Sequence, residues 1–133
     1  MARTKVRFVV LGRLPPNFEI ARLRDWSSRV FVCDREIESF QLNEAHQGVD
    51  WQYLDTQLER LVPKRGEEDI LFAFVNVPLE LDYYVRRLDN NRVVFTFHEM
   101  ADILRFHNIP LENIALRVLY AYMLIYMLAL IWF

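Results

Sequence analysis

The chain has 133 residues, 53% hydrophobic and 26% charged, with a formal net charge of −2. That length fits a single domain, 1–133, with a modest core, and the charge balance supplies no basic face of the kind nucleic-acid backbones require, so nucleic acid is not an expected partner. The one cysteine, Cys33, excludes an internal disulfide framework and fits a reducing, cytoplasmic setting.

Residues 5–11 (KVRFVVL) are β-branched and aromatic and stop at Gly12, which predicts a strand. The apolar run at 8–11 is too short for the core of a secretion signal. Gly12-Arg13-Leu14-Pro15-Pro16-Asn17 is a turn, with Asn17 placed to cap a helix over 18–26. A second strand follows at 29–33 (RVFVC), in which Cys33 reads as a small core residue. Strand, helix and strand over this span predict a βαβ unit with parallel strands. The turn is no phosphate loop, because the three glycines of the chain match neither the P-loop nor the dinucleotide fingerprint.

Residues 34–50 are polar and poorly periodic, and predict a loop or frayed helix with His46 on the surface. Apolar residues at 51, 54, 58, 61 and 62 predict an amphipathic helix capped by Asp50 and ended by Pro63. Residues 70–77 (ILFAFVNV) lack alternation, which predicts a central strand covered on both faces. A connection through 80–91 precedes another strand at 92–97 (RVVFTF). A helix is predicted over 97–107, ended by Asn108 in the left-handed conformation, and Pro110 opens the last helix, from about 111 onward. Together these give an α/β or α+β class, with a small mixed sheet of about four strands, packed helices and a long apolar C-terminal helix.

Two constellations could carry chemistry. His98-Glu99 with Asp102 approaches the zinc-helix pattern H-E-x-x-H, in which two histidines one turn apart bind metal and the glutamate is the base. Aspartate stands where the second histidine belongs, and His107 is out of phase, so His98, Glu99 and Asp102 are weak metal candidates. Thr96 and Glu99 alternatively form a capping box. Arg86, Arg87 and Arg92, with Tyr83 and Tyr84 nearby, form a candidate anion-binding group, although Asp82 and Asp89 dilute its charge. No cofactor is implied, and the balance leans away from an enzyme.

The segments Phe74-Val75-Asn76-Val77-Pro78-Leu79, 92–99 and Asn108-Ile109-Pro110-Leu111-Glu112-Asn113 resemble, with the long helix, the front half of zincin-like domains of the archaemetzincin sort. The resemblance covers about residues 70–128. It implies a sheet and helix that would precede a metal-binding helix and a cysteine cluster. The full H-E-x-x-H, its third histidine and the cysteines are missing, so no site residue carries over. The implied protein is a truncated or degenerate relative without the zinc chemistry.

Residues 114–133 (IALRVLYAYMLIYMLALIWF) hold a single charge, Arg117. As a membrane span the uncharged part covers about 24 Å, short of a bilayer core of roughly 30 Å. As a helix lying on the sheet it is apolar on too many sides. The favoured expectation is an assembly or interaction module, with a protein partner or second copy burying the surplus through Tyr122, Tyr126, Leu130, Trp132 and Phe133. A degenerate metal hydrolase and a membrane-anchored accessory protein are the alternatives.

Overall fold

The structure, a computed structural model, describes residues 3–26, 28–33, 35–42, 52–64 and 66–132, apart from the side chains of Asp82, Arg105 and 127–132. In chain order the elements are β1 (Thr4–Leu11), α1 (Ala21–Arg24), β2 (Phe31–Val32), β3 (Glu38–Phe40), α2 (Asp55–Leu61), β4 (Ile70–Val75), a 3₁₀ turn (Glu80–Asp82), β5 (Val85–Arg87), β6 (Arg92–Thr96), α3 (Ala101–Phe106) and α4 (Leu111–Trp132). They build a mixed α/β domain around a six-stranded sheet of order β2-β1-β4-β6-β5, with β3 also on β1. All pairings are parallel except β5 with β6.

β2 and β3 act as one interrupted edge strand. β2 pairs with Thr4 and Lys5 at the start of β1, and β3 with Val9, Val10 and Leu11 at its end. The chain therefore leaves β1 towards one edge and returns past it to β4. Its two crossovers lie on opposite faces: Leu23 of α1 packs on one and Leu58 of α2 on the other.

Each face has its own chemistry. The first carries Phe8, Phe72, Phe74, Phe95 and Phe97, with Phe18 and Phe31 against them. The ring centroids of Phe18 and Phe97 are 4.5 Å apart, and Phe95 meets Phe97 edge-on at 4.8 Å. α4 covers this face by burying Leu111, Ala115, Leu119 and Met123, one residue every fourth position. The second face is aliphatic, with Val9, Leu11, Leu71, Ala73, Val75 and Val94 beneath the short α2.

α2 buries one leucine and is too short to hold itself by area alone. Two arginines from the strands pin its ends. Arg92, 2% exposed, donates to the Val62 and Glu59 carbonyls at the helix C-terminus, and to Asp89 at 2.7 Å. That places a cation where the helix dipole is negative. Arg86 forks onto both oxygens of Asp55 in the first turn. The hydrogen bond to Asp55 raises the Arg86 pKa further. Arg7 belongs to the same row as Leu71 and Arg92. It bonds Glu38 of β3, which ties the edge strand to β1, and Glu38 and the buried Glu68 are both shared with Arg35.

Several expectations need correction. The sheet has six strands: β3 lies inside the stretch read as a polar loop and β5 inside the stretch read as a connection. Both are three-residue strands whose pairing, rather than their composition, makes them strands. The helix expected over 18–26 contracts to Ala21–Arg24, with Phe18 buried ahead of it. α2 starts at Asp55, where the Leu54 N–H donates to Gln57 Oε1; the expected cap Asp50, with Trp51 and His46, lies outside the described residues. α3 starts at Ala101, and no Thr96–Glu99 capping box forms. The Thr96 hydroxyl instead donates to the Val77 carbonyl and accepts the His98 N–H, while Glu99 takes φ 63°. Cys33 is half-buried rather than a core residue. Parallel β1 and β2, a fully buried central β4, and left-handed Asn108 match the sequence reading.

Replacing Arg92 with alanine is expected to cost on the order of 2–4 kcal/mol, because it orphans buried carbonyls, whereas Arg87→Ala should stay within about 0.5 kcal/mol. Urea unfolding of the two variants measures the contrast. Asp89 supplies a pH signature. Burial alone would raise its carboxyl, but the Asn91 N–H and the Arg92 guanidinium outweigh that and hold it below the usual carboxylate range. Its contribution is then complete above the unfolded value, about 3.9, and is lost as pH falls through the lower folded value. The stability gap between wild type and Asp89→Asn should be flat from about pH 5 to 8 and close below about pH 4.

Candidate functional site

In an open parallel sheet, ligands sit beyond the carboxyl ends of the strands, where connections leave in opposite directions. Here that place lies between β1 and β4. Its rim consists of the turn after β1 (Gly12 and Arg13), the end of β3 (Ser39, Phe40) with Gln41 and Leu42, Asn76 to Pro78 after β4, and His98 and Glu99 after β6. Gly12 turns the chain with φ 77°, and its N–H donates to the Phe40 carbonyl at 2.9 Å.

Two hollows open on this rim. One, lined by Pro78, Leu79, Tyr83, Tyr84, Thr96, His98 and Glu99, holds about 30 Å³. That is room for about one water molecule. The other, lined by Gly12, Arg13, Ser39, Phe40, Gln41 and Leu42, is about 550 Å³ and open to solvent. Arg13 is exposed and makes no ion pair among the described residues.

The structure brings His98 and Glu99 together, with Nε2 3.6 Å from Oε1, a contact that attracts only when the imidazole is protonated. Asp102 is exposed in the first turn of α3. Among the described residues no group of three or more histidine, cysteine or carboxylate side chains could hold a metal ion. The three arginines do not share a surface. Arg92 is buried, Arg86 is taken by Asp55 and lies 4.7 Å over the Tyr83 ring, and Arg87 donates to Asn90 Oδ1 and the Asp89 carbonyl.

α4 presents a second kind of surface. Tyr122 stands edge-on to Phe72 and Tyr126 reaches Asp69, so both tyrosines lie on the side packed against the sheet. The outward side reads Asn113, Arg117, Ala121, Leu124 and Ile125, with Leu124 58% and Ile125 43% exposed. The sequence reading missed these two residues; counting helical phase from the buried 111-115-119-123 row would have found them. Phe106, 82% exposed, and Ile109 add apolar surface at the turn into α4, beside a groove lined by Leu104, Ile114, Leu116 and Arg117. The Leu130 and Trp132 side chains, and Phe133, lie outside the described residues. Among the described residues no helix is long and apolar enough to cross a membrane.

No family model matches the chain, and neither a curated protein nor a solved structure matches it.

Glu99 and Leu81 both hold left-handed backbones, φ 63° and 57°, on segments that border the smaller hollow. For a non-glycine residue that conformation costs about 1–2 kcal/mol. Glu99→Gly, at an exposed side chain, should therefore raise stability by about 0.5–1 kcal/mol in thermal unfolding. A loss of stability would mean that the Glu99 side chain contributes more than its backbone costs.

Proposed function

We propose that the protein is a non-catalytic assembly module that acts through α4, with a second copy of the chain as the partner to test first. The observation that carries this reading is a mismatch of length. The second half of α4 lies by the amino ends of the strands: Tyr120 bonds Ser28 just before β2, and Tyr126 reaches Asp69 just before β4. From Leu111 to Tyr126 the helix rises about 24 Å, against about 20 Å for the strand it covers. It then continues through 127–132, a run with no polar residue in the sequence (MLALIW). Its outward side is already apolar from Ala121 onward. An uncovered apolar surface of this kind favours association, and a two-fold pairing of identical helices is the simplest closed arrangement.

Light scattering coupled to size exclusion, run with and without detergent, tests it. The expected mass is twice that of the 16.1 kDa chain without detergent. Replacing both Leu124 and Ile125 with lysine should weaken association at least tenfold while leaving the circular dichroism unchanged. A monomer at all concentrations sinks the assembly reading. Flotation with lipid vesicles would favour membrane anchoring instead.

A further inference from the structure

We propose that the cleft at the carboxyl ends of β1 and β3 binds a small organic anion, a carboxylate or phosphate on a flat apolar body, with Arg13 as its counter-charge. The site lies at the opposite end of the sheet from the projecting part of α4, so it stands or falls independently of the assembly reading.

Three observations carry it. The first is position: the cleft lies at the carboxyl ends of β1 and β3, the end of an open parallel sheet at which ligands bind. The second is size, since about 550 Å³ falls within the range of small-molecule sites, whereas the hollow beside His98 has room for about one water. The third is chemistry. Among the described residues the lining holds one cation and no carboxylate: Arg13 supplies the charge, Phe40 and Leu42 apolar walls, and Ser39 and Gln41 neutral hydrogen-bonding groups. Most other arginines described here are engaged by a carboxylate or a carbonyl, as Arg7, Arg35, Arg86 and Arg92 are. Among the described residues Arg13 has no such partner, and its guanidinium can fork onto two oxygens of one anion.

The turn after β1 is no main-chain anion loop. Gly12 gives its N–H to Phe40, and Pro15 and Pro16 have none. Anion recognition therefore rests on the Arg13 side chain, unlike a glycine-rich phosphate loop, where main-chain N–H groups carry it. An apolar body is required as well, because one exposed arginine gives little affinity for a bare ion in water. Contact with Phe40 and Leu42 adds the remainder.

Calorimetric titration of the full chain with benzoate, adenosine 5′-monophosphate, acetate and inorganic phosphate tests the proposal. Benzoate or the nucleotide should saturate with a Kd below about 1 mM, at least tenfold tighter than the bare ion bearing the same head group. Whichever of the two binds identifies the head group. Arg13→Gln should weaken binding at least tenfold, and Ser39→Trp, which fills the cleft from an exposed position, should abolish it. Arg29→Gln, an exposed arginine at the other end of the sheet, should change nothing. Failure of both aromatic probes to saturate, equal affinity for the bare ions, an unaffected Arg13→Gln, or equal loss in Arg29→Gln would each overturn it.

Discussion

β4 has no polar face, and that constraint organises the molecule. All six of its residues are buried, between parallel neighbours on both sides. A strand of this kind is stable only when each face of the sheet is roofed. The two roofs are unequal. A long helix covers the aromatic face by area. A helix of 7 residues covers the aliphatic face and must be held by charge at both ends. On the aliphatic face the row Arg7, Leu71, Arg92 sets two buried guanidiniums on either side of a leucine on one line across the sheet.

The arginine clamps explain why the charge of the body is not simply surface charge. Arg92 gains carbonyl partners only because α2 ends above it, and α2 remains there only because Arg92 and Arg86 hold it. Removing either partner would leave groups buried without compensation, which is why such networks stabilise strongly when complete and destabilise when broken. These arginines are thereby withdrawn from ligand binding, which leaves Arg13 on the carboxyl rim as the charge that serves no fold contact in the described structure.

α4 has two parts, the side that lies on the sheet and the outward side from Ala121 to Ile125. The same apolar composition serves both parts, but the reason differs. Residues 111, 115, 119 and 123 are apolar because they lie on phenylalanines. Leu124 and Ile125 are apolar on the opposite side, where the chain itself offers nothing described to cover them. Function on this surface and function in the rim cleft would occupy opposite ends of the sheet, so assembly through α4 would leave the cleft open.

Elements whose pattern is local and strong were legible in the residues alone. The uninterrupted ILFAFV run read as a central strand, the Gly12 stop as the end of the first strand, and Asn108 and Pro110 as the punctuation before α4. The remainder depended on long-range packing. β3 and β5 are strands because longer neighbours offer them hydrogen bonds, a fact that three residues cannot announce. Arg92 looked like an anion ligand until α2 was placed above it, and Glu99 looked like a cap until its backbone turned left-handed. Which side of α4 faces outward depended on its packing against strands far away in sequence. Local propensity fixes what a segment can become; the burial of one non-polar strand on both faces fixed where each segment had to go.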